Sequence, residues 1–113
     1  MLPRLVTSTW FPPGRQWAGQ TLYPFVLVKP WACTAPVLRH ELIHCQQVRR
    51  VGWWRFYAAW LWQLARGWVR LRSYGAAYRA IGFEAEAYAQ QDNAAWLEPE
   101  LERLVDLWTN PCL

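Results

Sequence analysis

The stretch "VLRHELIHCQQVRRV", residues 37–51, runs without a helix breaker and contains both histidines of the chain. Thr34 is a good N-cap, Pro36 suits a first helical turn, and Gly52 is the next residue to interrupt the pattern, so one continuous helix is predicted. Val37, His40, Glu41, His44, Val48 and Val51 recur at spacings of three and four. That spacing puts the histidines on an inward stripe and leaves Arg39, Gln46, Arg49 and Arg50 largely elsewhere.

Within this helix, His40-Glu41-Leu42-Ile43-His44 is an HExxH motif in the context that the motif requires. One turn separates the imidazoles, so both can reach a single Zn2+ at about 2.0–2.1 Å, and Glu41 can reach a water on that ion without binding it. Such a carboxylate is a candidate catalytic base, taking the water's proton and later passing it to a leaving amine. The bland alternative is a pair of hydrogen-bonded core histidines. Economy speaks against it: a chain with two histidines sets both on a stripe meant for burial, where an unpaired imidazole is costly.

Two histidines and a water leave a catalytic zinc one protein ligand short. The chain continues Cys45-Gln46-Gln47-Val48-Arg49-Arg50, with no HxxGxxH extension, so the missing donor must come from far along the sequence. Glu84 and Glu86, in a later helical stretch, are the candidates. Residues two apart on a helix diverge by about 200°, so only one of them can face the ion.

Ahead of the motif, "QTLYPFVLVKP" at 20–30 is the best strand, with Pro24 tolerable at an edge or a bulge. "LPRLVTSTWF" at 2–11 suits a short extended element and "PPG" at 12–14 a turn. A short antiparallel sheet of two or three strands is expected. After the motif, a second helix is predicted from Trp53 to about Arg72, with Phe56, Tyr57, Trp60, Leu61, Leu64, Trp68 and Leu71 on one broad stripe, widened by Trp54, Ala58, Trp62 and Val69. Arginines at 55, 66 and 70 interrupt it, which argues against a membrane span, whereas tryptophan beside arginine suits an interface. "RSYGAAYRAIG" at 72–82 breaks the pattern, "FEAEAYAQQDNAAWL" resumes it, and a last helix is predicted from near Pro99 to Asn110 and Pro111.

With 113 residues, the chain has room for one domain and one modest core. Ten tryptophans are more large rings than such a core buries easily. The net charge of +4 is unevenly spread: residues 39–79 carry eight arginines against Glu41, and residues 80–113 carry seven acids against Arg103. This asymmetry would help the acidic C-terminal part dock on the basic middle helix, and it weakens the case for nucleic-acid binding. Cys33, Cys45 and Cys112, without a CxxC, point to reduced thiols or at most one disulfide and to a cytoplasmic location. No signal peptide is legible.

Glu84-Ala85-Glu86-Ala87-Tyr88 resembles the ExxxD or ExxAD segment of the gluzincins, zinc metallopeptidases in which HExxH on one helix meets a glutamate from a later helix. More closely, "HELIHCQQ" followed by an aromatic helix and "AYRAIGFEAEAY" is similar to small uncharacterised bacterial proteins assigned as HExxH metallopeptidases, whose second segment reads roughly AYRxxPFExEAY. The likeness covers about residues 19 to 90. It implies His40, His44 and Glu84 as ligands of one Zn2+, Glu41 as the catalytic residue, and an edge strand in "TLYPFVLVKP" that pairs with an extended peptide. Two departures stand out. Gly82 occupies the usual proline position, which should loosen the start of the third helix, and Tyr88 stands where an acid would steady a zinc histidine. Tyr78 and Tyr88 are then candidate hydroxyl donors around the site, and Arg79 or a tyrosine a candidate for the oxyanion.

The expectation is therefore a single α+β domain over residues 1–113: a short antiparallel sheet, then three or four helices, in a minimal zincin-like metallopeptidase acting on a peptide or protein. The alternatives are a non-catalytic zinc protein and a helical module that meets a membrane surface, a protein partner or a second copy through its tryptophans. Nucleic acid is not an expected partner.

Overall fold

Pro24 has no N–H to give a ladder, and the chain reverses direction there instead of continuing as one strand. The structure, a computed structural model, describes residues 2–7 and 18–112, except for the side chains of Tyr74, Arg79, Asn110, Pro111 and Cys112. Its strands are β1 (Arg4–Thr7), β2 (Gly19–Leu22) and β3 (Phe25–Val28). β2 and β3 form an antiparallel hairpin around Tyr23 and Pro24, whose peptide bond is cis. β1 pairs parallel to β3, giving the order β1-β3-β2. The sheet is thus mixed, where an antiparallel one was expected, because β2 takes one edge of β3 and β1 runs along the other. The turn read at 12–14 lies outside the described residues.

Five helices follow among the described residues: α1 (Ala35–Val51), α2 (Trp53–Leu71), α3 (Tyr74–Ala80), α4 (Gly82–Gln90) and α5 (Pro99–Cys112). The small α+β domain is as expected, with one helix more than the three or four read from sequence. That helix, α3, falls in the stretch read as a break. Ser73 starts it by accepting a hydrogen bond from the Ala76 amide at 3.3 Å, the role of an N-cap hydroxyl. α5 runs through Asn110 and Pro111 to Cys112. Among the described residues, no helix is long and apolar enough to cross a membrane.

α1 is the centre of the molecule. Every residue from His40 to Val48 is buried, because β2 and β3, α2, α4 and α5 all pack around it. Leu38, Leu42, Ile43 and Cys45 form the core with Val26, Val28, Leu101 and Val105. An inward stripe was expected; the helix is instead enclosed, and Gln46, assigned to the outside, is buried against the loop before α5. Its side-chain oxygen accepts the Glu98 amide at 2.7 Å.

The acidic C-terminal part docks on α1. Arg39 pairs with Glu102 at 2.6 Å, and Arg49 with Glu98 at 3.2 Å and Glu100 at 2.5 Å. α2 is different: Phe56 alone is fully buried there, and the stripe of large side chains read as inward is in good part at the surface. α2 turns off α1 at Gly52, whose φ of 100° favours glycine. It also touches the sheet edge. The Tyr57 hydroxyl donates to the Thr21 carbonyl at 3.1 Å and accepts the Tyr23 amide at 2.9 Å.

The start of α4 is not loose. The Gly82 amide donates to Gln63 Oε1 at 2.8 Å, a bond that proline in its place would lack. α2 and α3 approach closely at Gly67, where an added Cβ would stand 3.1 Å from both Cα and Cβ of Ala77. We therefore expect Gly67→Leu to destabilise the fold by about 1–3 kcal/mol through overpacking, read as a lower urea midpoint at unchanged m-value.

Candidate metal centre

Two helices, α1 and α4, bring the three candidate ligands together. His40 and His44 sit one turn apart on α1, with ring centroids 4.9 Å apart and nearly perpendicular planes. Glu84 enters from the first turn of α4. One donor atom from each lies within 4.8 Å of the others, and all three residues are buried. His40 Nε2 is 3.2 Å from Glu84 Oε1, and His44 Nε2 is 3.0 Å from Glu84 Oε2. The edge of a tetrahedron of donors at about 2.0–2.1 Å from a metal is about 3.3 Å. His44 Nε2 is buried yet has no aligned hydrogen-bond partner: Glu84 lies close, but off the axis of the ring nitrogen. A buried ring nitrogen 3.0 Å from a carboxylate oxygen but without an aligned hydrogen bond to it fits a metal ion better than it fits a closed hydrogen-bond cluster. The group can hold one metal ion.

The far side of each imidazole is fixed. His40 Nδ1 is 3.0 Å from Gln91 Oε1 and His44 Nδ1 is 2.8 Å from Gln47 Oε1. An amide oxygen only accepts, so both rings carry a proton at Nδ1 and turn Nε2 toward Glu84. Gln47 does more than orient one ring. Its amide nitrogen donates to the Phe83 carbonyl and to Glu86 Oε1, both at 3.0 Å, which ties α1 to the start of α4. Glu86, the rival third donor, is thereby engaged away from the imidazoles. Tyr88 stacks edge-on against His40 with centroids 4.5 Å apart, and Gln91, three residues on, meets the ring nitrogen that an acid at 88 was expected to reach. The side chain of Arg79 lies outside the described residues.

Glu84 is 2% exposed, and burial alone would raise its pKa. Its contacts with His40, His44 and the Trp60 indole, which donates at 3.1 Å, overcome this and hold it well below the carboxylate range. For His44, burial disfavours the imidazolium, but Glu84 and the charge of Glu41 outweigh it and push its pKa up to about 9. Cys45 is a free buried thiol; burial and the Glu41 charge raise its pKa, so it is a packing residue and not a thiolate donor.

Glu41 faces the same region from α1. The Thr21 hydroxyl lies 2.7 Å from its Oε2 and 3.0 Å from its backbone carbonyl. Gly19 stands beside it, 3.5 Å from the Glu41 Cγ to a would-be Cβ. Glu41, His44 and Glu84 line a cavity of about 190 Å³ walled by Thr21, Phe56, Tyr57, Trp60, Leu61 and Tyr78. Burial, with the nearby Glu84 and Glu41 carboxylates, pushes the Tyr78 phenol far above its usual range, which keeps it a proton donor. Sequence reasoning missed Thr21, Gln47, Trp60 and Gln91. Only Gln47, one turn after His44, and Gln91, two turns after Glu84, carried a periodic signal.

In comparisons with protein families, curated proteins and solved structures, nothing matches the chain. The centre therefore stands on its own geometry.

Metal analysis should find about one equivalent in the wild type, with marked loss in His44→Ala and Glu84→Ala and retention in Glu86→Ala. Loss in Glu86→Ala alone would displace Glu84 as donor. A metal ligand must shed its proton, and in the metal-free protein His44 holds one up to about pH 9. Apparent metal affinity should therefore rise about tenfold per pH unit from neutrality and flatten above that point, measured by competition with a chelator of known pH dependence.

Proposed function

We propose that the chain is a zinc-dependent hydrolase of amide bonds, peptide bonds first among them. The observation that carries this reading is the convergence of His40, His44 and Glu84 within 4.8 Å, with Glu41 on the wall of the adjoining cavity. Two imidazoles and one carboxylate are the donor set of catalytic rather than structural zinc, and they leave a coordination position for water or substrate. The likeness to gluzincins in the HExxH and Glu84 segments supports the same assignment.

The chemistry zinc supplies at such a site is polarisation of the scissile carbonyl and acidification of a water. Glu41 takes the proton of the attacking water and passes it to the leaving amine. Thr21 holds the Glu41 carboxylate by donating to Oε2, so the base keeps one rotamer. Gln47 and Gln91 hold the imidazoles in the tautomer that offers Nε2 to the ion. The protonated Tyr78 phenol, on the cavity wall, is the donor for negative charge building on the carbonyl oxygen. Phe56, Trp60 and Leu61 exclude water and favour an apolar group next to the bond that breaks. An extended substrate beside β2 would use the Gly19 end of that edge, since Tyr57 holds the other.

Glu41→Gln should keep its metal while hydrolysis of a peptide library, followed by mass spectrometry, falls about a hundredfold to ten-thousandfold. Undiminished cleavage in that variant would remove Glu41 from the reaction. A wild type that binds metal but cleaves nothing in the library, and keeps its biological role as Glu41→Gln, would make the centre a non-catalytic one.

A further inference from the structure

Among the described residues, α2 carries a second apolar face turned to solvent. At 100° per residue, Trp54, Leu61, Trp62 and Val69 project over an arc of about 100°, on the side away from buried Phe56. These four side chains are between 59% and 68% exposed. Ala58 and Ala65, also exposed, fill the gaps between them. Arg55, Arg66 and Arg70 form a row along one flank of this arc, all three exposed. The helix has no acidic residue anywhere along its 19 residues. The ion pairs among the described residues use Arg39 and Arg49 and none of these three arginines.

We propose that this face lies in the headgroup region of an anionic lipid bilayer, parallel to its surface. The tryptophans and Leu61 would sink to the boundary of the acyl chains, and the three arginines would meet lipid phosphates. Two arguments select this occupant. A second copy of the chain packed face to face brings three more arginines and no carboxylate, so the basic row stays unanswered, whereas anionic headgroups answer it. A nucleic acid answers the arginines but gives a broad Trp, Leu and Val surface no apolar partner. An arc of tryptophan and aliphatic side chains flanked by arginine is the pattern of a helix that rests in the interface, and no helix of the described residues suits a crossing. The same Leu61 that belongs to this face also lines the cavity beside Glu41, so the cavity wall and the docking face share a side chain.

The test is flotation of the full-length protein with phosphatidylcholine vesicles and with vesicles that also contain phosphatidylglycerol. Wild type is expected to float with the anionic vesicles, with a blue-shifted tryptophan emission, whether or not metal is bound. Replacing Arg66 and Arg70 together by glutamine should weaken binding about thirtyfold, and Trp62→Glu should abolish it. Both variants alter exposed positions, and unchanged circular dichroism and metal content will show that they fold. Wild type that stays unbound, or binding indifferent to these substitutions, overturns the proposal. So does a concentration-dependent dimer that Trp62→Glu abolishes without vesicle binding in the wild type, or a salt-sensitive gel shift with RNA in place of flotation. Each readout is independent of hydrolysis and metal loading, so a failure here leaves the assignment of the metal centre untouched.

Discussion

The carboxylate of Glu84 is the constraint on which the arrangement rests. A charge 2% exposed has lost its water, and such a loss costs several kcal/mol unless partners replace it. The partners come from two different helices: His40 and His44 on α1, and Trp60 on α2. Satisfying one carboxylate therefore fixes the relative positions of α1, α2 and α4. Gln47 adds a fourth restraint through the Phe83 carbonyl and Glu86. The two imidazoles that could hold a metal ion with Glu84 are also those that make its buried charge tolerable.

This accounts for the position of α1. A helix carrying two imidazoles, a carboxylate and two glutamines would ordinarily face water on one side. Here it is enclosed, and each polar side chain has a designated partner: Thr21 for Glu41, Gln91 for His40, Gln47 for His44, and the loop before α5 for Gln46. The outer layer is locked by Arg39 and Arg49 against the acids of α5 and its approach. α2 is the exception, attached through few buried residues and carrying its large side chains outward.

The HExxH helix was legible because its first-turn proline and terminal glycine agree with its periodicity, and local signals of that kind survive folding; Thr34 takes the N-cap position without a side-chain capping bond. Glu84 was less so: spacing alone left it level with Glu86, and only the likeness to gluzincins separated them. The structure separates them physically, by giving Glu86 to Gln47. Pro24 was visible as a defect in a strand, but a strand with a defect and a hairpin share the same residues. The parallel pairing of β1 depends on which edge of β3 remains open, which no local pattern encodes. α3 was missed because Gly75 and Tyr74 read as a break, while the cap at Ser73 counted for more. On α2, an apolar pattern nearly all the way round hid which side was inward.

Tyr57 has a further consequence for how this sheet behaves in company. β2 is an edge strand, and an unpaired run of carbonyls and amides invites the edge of another chain. The tyrosine hydroxyl takes the Thr21 carbonyl and the Tyr23 amide at once, as a neighbouring strand would. A single phenol thus blunts the end of that edge nearest the hairpin turn, so chains crowded together find less of a template for intermolecular sheet growth.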